Sequence, residues 1–141
     1  MKNKVLITFF STIITSCFQN INELDLKYEN GIWYKDKKPY SGDVYKVFKN
    51  KKINLGKIID GKKEGEWTEF GRLIYRTGQY DNGKRFGEWK GWYEDSSKAY
   101  SGFYKYDLKV GEWRGWNKSG NISYVGTYKE GKKDSTWCFW F

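Results

Sequence analysis

The side chains most capable of chemistry in this chain are two thiols, Cys17 and Cys138, and three glutamates at one repeated position, Glu66, Glu88 and Glu112. A thiol attacks only as thiolate and needs a base or cation beside it, and the usual base is missing: the 141 residues include no histidine. Ser-His-Asp and Cys-His nucleophile systems and histidine-rich zinc sites are thereby excluded, and two cysteines fall short of a four-thiolate site. Carboxylates hydrolyse glycosides when a pair is held across a cleft at a set separation. Each of the three glutamates instead lies between a glycine and a tryptophan in sheet-forming sequence, and a one-layer array supplies no cleft. They read as solvent-side partners for lysines. The glycines never bunch ahead of a helix, so no phosphate-cradling loop is present, and no calcium-loop spacing occurs. The expectation is a protein with no enzymatic activity, no cofactor and no metal site.

What remains is charge, aromatic content and an N-terminal signal. Lys and Arg number 26 against 17 Asp and Glu, for a net charge of +9; 38% of residues are hydrophobic and 21% aromatic. That apolar share lies below the ~45–50% of an average domain, and the length bounds the chain to one domain or a short repeat array. Lys2 and Lys4 precede the uncharged apolar stretch 5–14, the pattern of an export signal and short of the ~20 residues of a membrane-spanning helix.

The stretch runs into Ile14-Thr15-Ser16-Cys17, which resembles the lipobox of bacterial lipoproteins. The resemblance implies cleavage before Cys17, diacylglycerol on its thiol and an acyl chain such as palmitate on its amine. Several chains entering a bilayer at ~0.8 kcal/mol per buried methylene anchor stably where one would not. The expected organisation is a signal peptide over 1–16, a lipidated N-terminus and tether over 17–37, and a repeat domain over 38–141. Phe18 follows Cys17, so no aspartate signals inner-membrane retention, and an outer membrane is the expected address where the organism has one. The processed chain keeps Cys138 as a free thiol and does without a disulfide.

These functional candidates are positioned by an internal repeat. Gly-Glu-Trp occurs at 65–67, 87–89 and 111–113, with Ser135-Thr136-Trp137 in the same phase, so Trp67, Trp89, Trp113 and Trp137 are spaced 22, 24 and 24 residues apart. Tyr45 lies 22 residues upstream of Trp67 and reads as the first copy; a further aromatic, Phe48, Phe70, Trp92, Trp116 or Trp140, follows each by three. Nine residues before each tryptophan stands Ile58, Tyr80, Tyr104 or Tyr128, itself preceded by a glycine two residues earlier. A constant nine-residue segment is what a tight hairpin imposes, because one added residue would flip every side chain to the other face.

Gly61, Gly83 and Gly131 mark the hairpin turns, since two-residue turns need the positive φ that Asp-Gly and Asn-Gly tolerate. Leu108 stands where the third copy is expected to carry the small residue, which predicts a less regular or shifted turn there. Strands are predicted at 42–48, 53–59, 64–70, 72–80, 86–93, 99–105, 110–116, 122–129 and 135–140, with a turn of helix within 24–30. The three-residue offset between paired aromatics requires either ring rows on both faces or a bulge near the second ring. Gly65, Gly87 and Gly111 are expected to leave room for rings to lie flat on the backbone.

The unit from Tyr75 to Trp89, with Gly78, Tyr80, Asn82-Gly83, Lys84-Arg85 and Gly87-Glu88-Trp89, resembles the MORN-repeat variant of YwqK-type proteins. Residues 128–133 repeat its first half and 61–67 its second, and the likeness covers 38–141. It implies an all-β fold, an elongated meander of tandem antiparallel hairpins, used as a scaffold or binding surface. It also implies an antitoxin role, which fits an exported chain poorly because toxins are met in the cytoplasm. Ser135 and the apolar end Trp137-Cys138-Phe139-Trp140-Phe141 depart from the pattern and read as a capping strand or a sticky edge.

The functional expectation is therefore a membrane-anchored interaction or scaffold module with an unidentified protein partner, and the alternative is a structural envelope protein that contacts anionic lipid. The lysines at 62–63, 84–85 and 132–133 collect on one edge, where they serve solubility or contact with anionic lipid; nucleic acid is not an expected partner. The repeated tyrosines Tyr80, Tyr104 and Tyr128 are either packing residues or an exposed binding row.

Overall fold

The computed structural model describes residues 19–72 and 74–140. Cys17 and the signal peptide expected over 1–16 lie outside the described residues. Among the described residues there are thirteen strands: β1 (Gln19–Asn22), β2 (Lys27–Glu29), β3 (Ile32–Lys35), β4 (Lys38–Pro39), β5 (Gly42–Phe48), β6 (Lys51–Ile59), β7 (Lys62–Phe70), β8 (Ile74–Asp81), β9 (Lys84–Tyr93), β10 (Lys98–Lys105), β11 (Leu108–Trp116), β12 (Ile122–Lys129) and β13 (Lys132–Phe139). β5 to β13 follow one another in strict sequence order as an antiparallel meander, and β1 adds to β5 in parallel, giving ten strands; β2, β3 and β4 form a separate small sheet. The arrangement is an elongated, mostly antiparallel all-β array in two sheets with no barrel closure.

Tight turns define one long edge of the sheet. Asp60-Gly61, Asn82-Gly83 and Glu130-Gly131 all take positive φ at both central residues, as a hairpin turn matched to strand twist demands. The third turn is neither shifted nor irregular. It lies at Tyr106-Asp107, with φ of 51° and 69°, and Asp107 occupies the position glycine holds elsewhere, a conformation aspartate tolerates. Leu108 is thus the first strand residue, equivalent to Lys62, Lys84 and Lys132. Successive tips are bonded to one another: the amides of Gly83, Asp107 and Gly131 donate to the carbonyls of Lys63, Arg85 and Lys109 at 2.9, 3.0 and 2.9 Å.

The opposite edge carries the variable connections. The β9–β10 loop is closed by Tyr93 N donating to Ser97 O and by the Asp95 carboxylate accepting from Ser97, and the β11–β12 loop by Asn117 and Asn121. These loops absorb the two residues by which the later repeats are longer, so the faces stay in phase.

Residues 19–37, expected as a tether, carry secondary structure that packs against the array. Beyond β1, a single 3-10 turn at Glu23–Asp25 replaces the helical turn expected within 24–30; the Asn22 side chain caps it by accepting from Leu24 N at 3.2 Å. The β2–β4 meander then seats on the first turn: Trp33 N donates to Gly61 O at 2.8 Å and Gly61 N to Tyr40 O at 2.8 Å. Trp33, Ile21 and Leu26 pack on the cluster of Tyr40, Val44, Leu55, Ile58 and Trp67. The apolar residues of the segment act as a cover for the end of the row, a role their irregular spacing hid.

Candidate functional site

The landmark residues form one continuous ladder of rings. Trp67, Tyr80, Trp89, Tyr104, Trp113, Tyr128 and Trp137 meet edge to face in sequence order, with centroids 5.0–6.1 Å apart and interplanar angles of 75–89°, the arrangement favoured by the aromatic quadrupole. Trp89 is fully buried, Trp113, Trp67 and Tyr104 nearly so, while Tyr80, Tyr128 and Trp137 are half-buried. Ile58, at the tyrosine position of the first repeat, is also buried.

Tyr45 does not belong to the ladder. Val44 takes the tryptophan position instead, because Val44 pairs with Gly56 as Trp67 pairs with Gly78, and a register shift follows between Val44 and Tyr45. Tyr45 is half-buried and carries the Lys52 ammonium over its ring at 4.0 Å.

Two sets of glycines divide the work differently from the expectation. The rings lie flat on Gly56, Gly78, Gly102 and Gly126, where a β-carbon would come within 2.2–2.6 Å of the tryptophan that follows each by eleven residues. A β-carbon at Gly65, Gly87 or Gly111 would meet nothing within 4 Å; these glycines are needed for their φ of 66–69°. Gly87 and Gly111 open bulges at which the register slips opposite Gly78 and Gly102. Ser135 holds the same conformation in the last copy, at φ 63°. The bulge therefore precedes each tryptophan. From Gly65 to Phe70 the register is regular, so the ring three residues on lies on the other side. Phe48, Phe70, Tyr75 and Trp92 form a second, shorter row there.

Cations cover the ladder. Lys63, Arg85, Lys109 and Lys133, each two residues after a turn's second central residue, fold back over Trp67, Tyr104, Trp113 and Trp137 at 4.2–4.4 Å from the ring centres. Burial, together with Arg85 and Lys133 nearby, lowers the pKa of Lys109. Only half of the basic residues expected on the turn edge thus face outward there. The repeated pair of basic residues was visible in the sequence, but the division of labour within the pair was not.

At the start of the ladder the Glu69 carboxylate accepts from the Lys63 ammonium, from Arg76 Nε at 2.9 Å and from the Tyr80 hydroxyl at 2.7 Å. Burial would raise the Glu69 pKa, but the Lys63, Tyr80 and Arg76 contacts outweigh it and hold the carboxyl below its usual range. Burial and the bond to Glu69 push the Tyr80 hydroxyl far above the ordinary tyrosine value. The cluster is internally satisfied, so it reads as packing.

The other face is open. Glu66, Glu88 and Glu112 do not converge; they are exposed, and Glu88 and Glu112 pair with Lys90 and Arg114 two residues along their own strands. A shallow groove of about 580 Å³ runs across β6, β7, β8 and β9, lined by residues including Asn54, Leu55, Glu66, Thr77, Glu88 and Lys90. Its lining mixes polar and apolar groups from four strands and offers hydrogen-bonding side chains to an extended ligand.

Comparison of the chain with protein-family models, with curated proteins and with solved structures found no match. Among the described residues no group of three or more acidic or thiol side chains is placed to hold a metal, and no helix is long and apolar enough to cross a membrane. The functional reading therefore rests on the geometry of the two faces.

Proposed function

We propose that this chain is a non-catalytic surface module, a MORN-like single-layer repeat array of the YwqK type, tethered to a membrane through lipid on Cys17 and presenting the open face of its sheet to a protein partner. The observation that carries the reading is the unequal fate of the two faces. The Trp–Tyr ladder is consumed by internal stacking and roofed by lysines, so the repeated tyrosines serve the scaffold. The opposite face keeps its groove and leaves its charged side chains exposed to solvent, where regularly spaced side chains can meet an extended segment.

Two measurements test the reading separately. Intact-mass analysis of the membrane-extracted protein should give the chain from Cys17 onward carrying lipid; an unmodified chain removes the anchor. A photo-crosslinking residue at Thr77 or Gln79 in the full chain should capture one discrete protein in cells, and Glu88→Lys should abolish the capture. The same residue placed at Asn117, on the loop edge, should capture nothing. Equal capture from both places would overturn the binding face.

A further inference from the structure

The first repeat shows what a roofing cation of this sheet accepts as its counter-charge. There the Lys63 ammonium stands 4.3 Å from the centre of the Trp67 ring and 4.9 Å from that of Tyr80. The Glu69 carboxylate accepts from that ammonium and from the Tyr80 hydroxyl. In the third repeat the Lys109 ammonium stands 4.2 Å from Trp113 and 4.9 Å from Tyr128. The cation and its two rings are laid out alike in both repeats, and only the first has the carboxylate.

Both places that supply an acid elsewhere are glycine in the third repeat. Glu69 follows Trp67 by two residues, and Gly115 follows Trp113 by two. In the second repeat the acid comes from the next turn, where Asp107 accepts from Arg85 Nε at 2.8 Å. The turn residue that corresponds to Asp107 for Lys109 is Gly131. Arg76, the third donor to Glu69, has Tyr124 as its counterpart, and the Tyr124 ring lies over Gly115, 2.0 Å from where a β-carbon would be.

A second ammonium stands beside the first. Lys133 lies opposite Tyr128 in the β12–β13 pair and holds its ammonium 4.4 Å from the centre of Trp137. Among the described residues neither Lys109 nor Lys133 makes an ion pair, and the Tyr128 hydroxyl makes no hydrogen bond. The acids of the surrounding strands are engaged or turned elsewhere: Glu112 pairs with Arg114, Asp134 lies opposite Thr127, and Glu130 is exposed in the last turn. The lowered Lys109 pKa fits the same picture, since Arg85 and Lys133 add like charge to a half-buried ammonium with no counter-charge.

We infer that Lys109, Lys133 and Tyr128 form a carboxylate-binding site, which takes an aspartate or glutamate side chain from an acidic segment of another protein as the first repeat takes Glu69. Two ammoniums and a hydroxyl offer charge-assisted hydrogen bonds to both oxygens of a carboxylate, and the internal precedent sets the ligand class. The site lies on the ladder face, so it does not depend on the partner proposed for the open face.

Fluorescence anisotropy of a labelled hexaglutamate peptide with the full chain tests the site. The peptide should bind, more weakly as salt rises. Lys109→Met should weaken binding about tenfold or more through loss of a charge-assisted bond, and Tyr128→Phe should weaken it several-fold. Lys51→Met with Lys118→Met removes more charge, from exposed positions at the loop edge, and should leave the affinity within about twofold. Gly115→Glu with Tyr124→Arg rebuilds the first-repeat arrangement. That chain should lose the peptide with both lysines still present, and NMR titration should show the Lys109 pKa raised by its new counter-charge. Circular dichroism checks its fold, and if it does not fold the single substitutions decide. No binding of hexaglutamate, equal affinity of the Lys109→Met and natural chains, or undiminished binding by a folded rebuilt chain would overturn the site. Displacement of the peptide by inorganic phosphate at lower concentration than by glutarate would assign a phosphoryl group and overturn the carboxylate.

Discussion

The indole of Trp89 lies flat on the α-carbon of Gly78, with the ring atoms 2.3 Å from where a β-carbon would be, and its Nε1 donates to the carbonyl of Gln79 at 3.2 Å. The same contact recurs at Gly56, Gly102 and Gly126, so each period is fixed by an absent side chain as much as by a present one.

Gly78→Ala should therefore destabilise the fold by about 1–3 kcal/mol, since a methyl placed against a fully buried ring forces strain. Gly87→Ala, which meets open space but requires positive φ, should cost about 1–2 kcal/mol by a different mechanism. Denaturant titration of Gly78→Ala, Trp89→Ala and the double variant distinguishes them. The pair should be strongly non-additive, whereas Gly87→Ala combined with Trp113→Ala should add.

Trp89→Ala should cost about 3–5 kcal/mol as a fully buried aromatic. Tyr45→Ala, outside the ladder and half-buried, should fall within about 1 kcal/mol. Matching denaturation midpoints for the two would contradict the ladder as the main store of stability.

Ser135→Gly should raise stability by about 0.5–1 kcal/mol, the left-handed strain relieved less the added entropy of glycine. A lowered thermal midpoint would show that the serine side chain has a role of its own.

Glu69 and Tyr80 predict opposite pH limits. The Glu69 pKa is lower in the folded chain than in the unfolded one, so its contribution is present above the ordinary carboxyl value of about 4.3 and is lost as pH falls through the folded value. The Tyr80 pKa is raised, so its contribution is complete below about pH 10, where unfolded tyrosine titrates, and declines as pH rises beyond that. Glu69→Gln should flatten the acid limb of a stability–pH curve and Tyr80→Phe the alkaline limb. Unchanged limbs would mean other groups set them.

Much of this was legible from spacing because the repeat is dictated by local chemistry. The constant nine-residue segment gave the hairpins, and Asp60-Gly61, Asn82-Gly83 and Glu130-Gly131 gave three of the four turns. Spacing alone misaligns the remaining turn, at Tyr106-Asp107, by one residue, because Asp107 does glycine's work without resembling it. Spacing also gives Tyr45 the role of Val44, because an aromatic at the right interval outweighs a buried valine whose neighbouring register shift cannot be seen in one dimension. Phe86 is distant from Tyr106 in sequence, and their rings become neighbours only through the pairing of β9 with β10.

The hydrogen bonds from one hairpin tip to the tip before it make each unit the template for its successor. Length in such a protein is quantised. Excising residues 78–101 joins Thr77 to Gly102, an equivalent place, and should leave a shorter molecule with its stacking intact, whereas losing half that stretch would leave a tip with no predecessor to read. Variation in reach is available to this architecture one whole period at a time.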